Sequence, residues 1–146
     1  LYNATSQEAP RGAKAWPALS SRVNAGFDAV DCGAWGFQAN CQHWGTDIAG
    51  GENDPVFMPF DGTFDSCVIQ PENTPYAGVA LQATLLDGSA LYIGHMRDAV
   101  CDTPQGAPLD AGAQIGTFRS DLAHIHVQLI DTGGNLIDFE RVYNGY

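Results

Sequence analysis

Seven short stretches rich in β-branched and aromatic residues follow one another along the chain: Val56 to Phe60, Gly62 to Gln70, Val79 to Leu86, Ala90 to Met96, Gln114 to Phe118, Leu122 to Ile130 and Leu136 to Asp138. Residues of this kind suit a pleated, half-buried surface. Asp61-Gly62, Asp87-Gly88 and Thr132-Gly133-Gly134-Asn135 punctuate the series with residues that accept the positive φ of tight hairpins. No segment carries a convincing helical period, so the expected architecture is mainly antiparallel β with long surface loops, without internal repeats or low-complexity tracts.

Ahead of these stretches, residues 1–25 hold Pro10, Gly12 and Pro17 among scattered Ser and Ala, without a sustained apolar period. They read as an extended arm that wraps the domain, which occupies 26–146. A chain of 146 residues with 45% hydrophobic and 16% charged residues has the size and composition of one globular domain. No run of about 18 apolar residues is present in the sequence, so no bilayer span is expected, and its first residues show no basic-then-apolar pattern of the signal-peptide kind.

Seventeen acidic residues against six basic ones give a formal charge of -11, which argues against nucleic acid or an anionic membrane surface as partner. The same charge means that binding to an anionic cell wall would rest on local contacts rather than long-range steering.

The four cysteines, Cys32, Cys41, Cys67 and Cys101, include no Cys-x-x-Cys pair of the kind that holds structural zinc. Two disulfides are the simplest use, and they would place the protein outside the cytosol. Of three pairings, Cys32 with Cys41 closes a short loop and Cys67 with Cys101 could link neighbouring strands, which favours that set. Four buried thiols are the alternative. Asn3-Ala4-Thr5 fits a glycosylation acceptor, a triplet that arises often by chance.

The chain has four histidines, His43, His95, His124 and His126. In His43-Trp44-Gly45-Thr46-Asp47 an imidazole and a carboxylate stand four residues apart, with Gly45 letting the backbone bend so that both face one ion. His124-Ile125-His126 lies in a strand-like run where alternate side chains share a face, so both imidazoles project together. Ala123, Ile125, Val127 and Leu129 form the opposite, buried face. Such a pair is a platform for a metal, and a merely wet face is the competing reading.

Taken in order, the His43 to Asp47 segment, Val56 to Gly62 with its Pro59-Phe60-Asp61-Gly62-Thr63 turn, Leu91-Tyr92-Ile93-Gly94-His95-Met96, Gly112 to Gly116 and His124-Ile125-His126 resemble the lysostaphin-type zinc endopeptidases over about 100 residues. All four histidines fall on the positions that this family uses. The resemblance implies that His43, Asp47 and His126 ligate one Zn2+ per chain and leave a position open for water. It implies that the zinc-bound water attacks the scissile carbonyl, with His124 as general base and His95 as its partner in stabilising the tetrahedral intermediate. The implied activity is hydrolysis of peptide cross-links in bacterial peptidoglycan, outside the cell, in the periplasm or on a virion such as a phage tail.

A non-catalytic, zinc-binding member of the same fold, acting as a binding, regulatory or virion structural protein, is the alternative. Retention of all five residues favours the enzyme.

The stretch from Gly116 to His124 is shorter and less Gly-rich than the family's, Arg119-Ser120-Asp121 replaces small residues, and Asp138-Phe139 stands where relatives have Asp-Pro. These departures bear on the substrate groove and leave the ligands untouched. Trp35, Phe37 and Trp44 could line that groove, although packing is the commoner use of such residues. Tyr92 reaches either cleft or core. Glu52-Asn53-Asp54 reads as a solvated turn rather than a calcium loop, and Asp61, Asp65 and Asp87 as turn and surface residues.

Overall fold

A computed structural model of the chain describes residues 12–27, 29, 42–74, 76–119 and 124–145. The expected Cys32–Cys41 bond, the roles weighed for Trp35 and Phe37, the Asn3 triplet, and Ser120 to Ala123 lie outside the described residues.

Among the described residues ten strands form one sheet, with a short helix at the end. The strands are β1 (Val23–Ala25), β2 (Thr46–Ala49), β3 (Pro55–Phe57), β4 (Gly62–Gln70), β5 (Gly78–Leu85), β6 (Ala90–Ala99), β7 (Pro108–Leu109), β8 (Gln114–Phe118), β9 (His124–Ile130) and β10 (Leu136–Ile137). The main path runs β1-β2-β9-β6-β5-β4-β7; β10 pairs β9, and β3 joins through β8, which also pairs β6. Every pairing is antiparallel, as expected.

Alternation along β9 sets the sheet's two faces. Ile125, Val127 and Leu129 are wholly buried and pack with Ile48, Leu81, Leu91, Ile93, Met96, Phe118 and Phe139 in one core. Full burial of a side chain of this size contributes about 1.5–3 kcal/mol, so β9 is held firmly by the face opposite its histidines. His124, His126 and Gln128 project from the other face.

β6 changes partner midway along its length. From Ala90 to Gly94 it pairs with β9, and from Met96 onward with β8. His95 sits at that switch with φ 65°, a left-handed conformation that costs a non-glycine residue on the order of 1 kcal/mol or more.

Residues 12–25 join the sheet and its loops. Ala15 donates its N–H to Pro59 O, Phe57 donates to Pro17 O, and β1 pairs with β2. Asp61 does more than turn the chain: it accepts the N–H groups of Ala13 and Ala111, tying the segment around Ala13 to the β7–β8 loop. Trp16, Phe60, Phe139 and Tyr143 stack into an aromatic cluster with ring centroids 5.1–6.1 Å apart.

Cys67 and Cys101 form a disulfide, the pairing favoured, and it ties β4 to the loop after β6 rather than to a neighbouring strand. Closing a 34-residue separation contributes about 3–4 kcal/mol in the chain-entropy account.

One expectation fails: a helix is present, α1 (Phe139–Asn144). Asp138 caps it by accepting the N–H groups of Glu140 and Arg141, while Phe139 and Val142 are buried. The Asp cap and the apolar spacing at 139, 142 and 143 were visible in the sequence, but six residues are too few to show a period.

Candidate metal centre

Asp47 and His126 are directly opposed in the β2–β9 ladder, and Ala49 opposes His124. On the other side of β9, Gly94 opposes His126, which places His95 next to the site. His43 precedes β2 and returns to the same spot. Three segments remote in sequence are thereby brought together by strand pairing.

His43 Nε2, His126 Nδ1 and Asp47 Oδ1 form a nearly equilateral triangle with sides of 3.1, 3.1 and 3.2 Å. All three residues are buried. Gly45 makes the approach feasible, though by leaving room rather than by bending. Its φ is not positive, but a Cβ there would fall 2.4 Å from Val127 O and 2.7 Å from His126 Nε2.

The hydrogen bonds behind the triangle assign the ring tautomers. His43 donates Nδ1–H to Gly26 O at 2.9 Å, which leaves Nε2 as its lone-pair nitrogen. His126 donates Nε2–H to Gln128 Oε1 at 3.0 Å, which leaves Nδ1. Two nitrogen lone pairs and a carboxylate oxygen then converge, an arrangement that repels unless a proton or a cation lies among them.

Zinc bonds of 2.0–2.2 Å to N and O donors put tetrahedral ligand atoms about 3.3–3.5 Å apart, so the triangle needs only slight opening to fit such an ion. The group formed by His43, Asp47 and His126 is thus able to hold a metal ion.

In the metal-free chain burial alone would push the Asp47 carboxyl up, but its hydrogen bonds with His126 and His43, made when a proton lies between ring and carboxylate, and the nearby His124 hold it well below the usual carboxylate range. For His43, burial presses the pKa down, yet Asp47 and the Gly26 carbonyl carry it above the ordinary histidine value. A metal would displace the proton that His43 otherwise shares with Asp47.

The two remaining histidines face each other beside the triangle, with ring centroids 5.1 Å apart and planes at 83°. His124 Nε2 lies 3.7 Å from Asp47 Oδ2, and its side chain is 25% exposed. His95 is buried and donates Nδ1–H to Ala77 O at 2.9 Å. Burial, with smaller contributions from His124 and His126, pushes its pKa down to about 4, so it stays neutral at neutral pH.

Tyr92 lies on the site face: its ring centroid is 6.3 Å from that of His126, a Cβ at Gly94 would clash with the ring, and Gln70 donates to its hydroxyl. Glu52-Asn53-Asp54 is an exposed turn closed by Asp54, with Glu52 paired to Arg97. Arg119 makes a two-pronged pair with Glu72 at the tip of the β4–β5 hairpin. Sequence reasoning missed Gly26, Ala77 and Gln128. For Gln128 a signal existed, because the alternation that pairs His124 with His126 continues to it.

No protein-family profile and no curated protein matches the sequence. Solved structures do match the fold. A zinc-containing peptidase from Vibrio cholerae aligns at TM-score 0.66 and 20% identity over 88% of this chain and 39% of that one. Csd3 of Helicobacter pylori aligns at TM-score 0.66 and 18% identity over 86% and 32%. The catalytic domain of the antimicrobial peptidase lysostaphin from Staphylococcus simulans aligns at TM-score 0.65 and 17% identity over 84% and 92%. The chain has the lysostaphin-type peptidase fold. It spans only about a third of Csd3 and two fifths of the Vibrio protein. Among the described residues no helix is long and apolar enough to cross a membrane.

Proposed function

We propose that this chain is a zinc-dependent endopeptidase that hydrolyses peptide cross-links of bacterial peptidoglycan, acting from residues 26–146 with residues 1–25 as an arm along the domain. The observation that carries the reading is the triangle of His43 Nε2, Asp47 Oδ1 and His126 Nδ1, with both imidazole N–H groups committed elsewhere. Likeness of fold to lysostaphin and to a zinc-containing peptidase supports the class of reaction.

Zinc held by these three residues would supply Lewis-acid polarisation of a carbonyl and of water. Two imidazoles and one carboxylate leave such a site with a net charge of about +1. His124 Nε2, beside Asp47 and open to solvent on one side, takes the proton of the attacking water as general base and hands it to the departing amine nitrogen. Neutral His95 has its Nδ1–H bound to Ala77 O, so Nε2 offers a lone pair. It therefore steadies a tetrahedral oxyanion only if the proton that His124 has taken from the water is passed to its Nε2 before reaching the departing amine nitrogen, which makes it a partner of His124 in that one proton transfer. The wholly buried Ile125 and Val127 fix the strand from which His124 and His126 project.

The Cys67–Cys101 disulfide favours a setting outside the cytosol, such as the cell exterior, the periplasm or a virion. Incubating the chain with purified peptidoglycan and analysing the released fragments by mass spectrometry tests the reading. New peptide termini that vanish with a chelator and in His124→Ala are expected. Intact cross-links with the zinc-loaded wild type would contradict it.

A further inference from the structure

Three of the four imidazoles around the site pass one N–H to an acceptor behind the ring: His43 to Gly26 O, His95 to Ala77 O and His126 to Gln128 Oε1. The first two acceptors are main-chain carbonyls, held in place by the fold. The third is a side chain, and it backs the ligand that shares triangle edges with both His43 and Asp47. We infer that Gln128 is a positioning residue for metal binding: its amide oxygen holds the proton of His126 on Nε2 and thereby assigns Nδ1 as the ligand atom. This rests on the zinc reading proposed above.

The geometry leaves His126 little freedom to choose otherwise. Nδ1 lies 3.1 Å from both His43 Nε2 and Asp47 Oδ1, whereas Nε2 is on the ring edge facing Gln128 at 3.0 Å. Gly45 packs against that same edge, close enough that a Cβ would fall 2.7 Å from Nε2 and 2.8 Å from Cε1. Gln128 stands two residues beyond His126 on the same face of β9, opposite Tyr92 of β6, so strand geometry aims it back at the ring. An amide oxygen accepts this proton without adding charge, whereas a carboxylate would accept it and draw the ring toward a stronger donor.

Partners of this outer kind change metal affinity by about 10–100-fold when removed. The test compares Gln128→Leu and Gln128→Glu with wild type in zinc competition against a fluorescent chelator at fixed neutral pH. Thermal unfolding of the zinc-free proteins runs alongside. Gln128→Leu should bind zinc at least 10-fold more weakly, and Gln128→Glu at least as tightly as wild type.

A second readout needs no variant: 15N-resolved NMR of the zinc-loaded wild type should place the ring proton of His126 on Nε2. A proton on Nδ1 would overturn the inference, and so would Gln128→Leu binding zinc within twofold of wild type. Equal losses in both variants would overturn it too, since that marks packing rather than proton acceptance. A wild type that binds no zinc removes the metal reading itself, whereas a tight-binding wild type with an equally tight Gln128→Leu removes only the role of Gln128.

Discussion

Asp47 and His126 are 79 residues apart in sequence and directly opposite each other in the β2–β9 ladder, with Oδ1 3.1 Å from Nδ1. Register is what makes this a site. A slip of one residue would turn His126 into the core and bring Ile125 or Val127 to the surface, at a cost that the buried face does not permit. Packing energy on one side of β9 therefore maintains the His43, Asp47 and His126 triangle on the other.

Gly45 tests how tightly that geometry is drawn. In Gly45→Ala the added methyl must displace the Val127 carbonyl or the His126 ring, so a loss of about 1–3 kcal/mol in stability is expected, accompanied by weaker zinc binding. Denaturant unfolding and zinc competition measure the two, and a variant unchanged in both would show that the strands can part without consequence.

His95 holds its left-handed backbone at φ 65°, a region that Asn tolerates better than other non-glycine residues. His95→Asn keeps a side-chain donor for Ala77 O while losing the titratable ring. Its unfolding midpoint should stay level with or rise above wild type, whereas peptidoglycan hydrolysis should fall about 10²–10⁴-fold. Full activity would remove His95 from the reaction.

The same residue makes stability depend on pH. Burial holds His95 near pKa 4 in the folded chain against 6.5 for the free side chain. Between those values the unfolded state binds the extra proton, so this contribution is fully present above pH 6.5 and is lost as pH falls toward 4. The loss amounts to about 3 kcal/mol. Since the His43 pKa is shifted as well, the quantity to measure is the difference between wild type and His95→Asn in denaturant unfolding of the zinc-free proteins. The variant should gain relative to wild type on acidification, and parallel pH curves would contradict the assignment.

Thr46 faces the core next to Asp47, and its buried hydroxyl has no hydrogen-bond partner among the described residues. Thr46→Val removes a polar group that folding strips of water, so a gain of about 1 kcal/mol is expected by chemical denaturation with activity unchanged. A loss of stability of similar size would indicate a partner for that hydroxyl.

Much of this was legible in advance because β structure writes its faces with a period of two. His124-Ile125-His126 announced a shared direction, and the strand pattern gave β4 and β8 with their observed bounds. Other parts carried no local signature. β2 is four residues long and includes a buried carboxylate, so nothing in Thr46-Asp47-Ile48-Ala49 marks a strand until β9 pairs with it. The exchange of β9 for β8 at His95 is likewise set by partners far away in sequence. Gln128 obeyed the visible alternation, but its role depends on which nitrogen His126 turns toward the triangle.

The most direct measurement is anomalous diffraction at the zinc edge from crystals of the chain grown with zinc. One peak per chain, bonded to His43 Nε2, Asp47 Oδ1 and His126 Nδ1, is the predicted result. An ion held by other residues, or a triangle that stays empty at saturating zinc, would contradict the account.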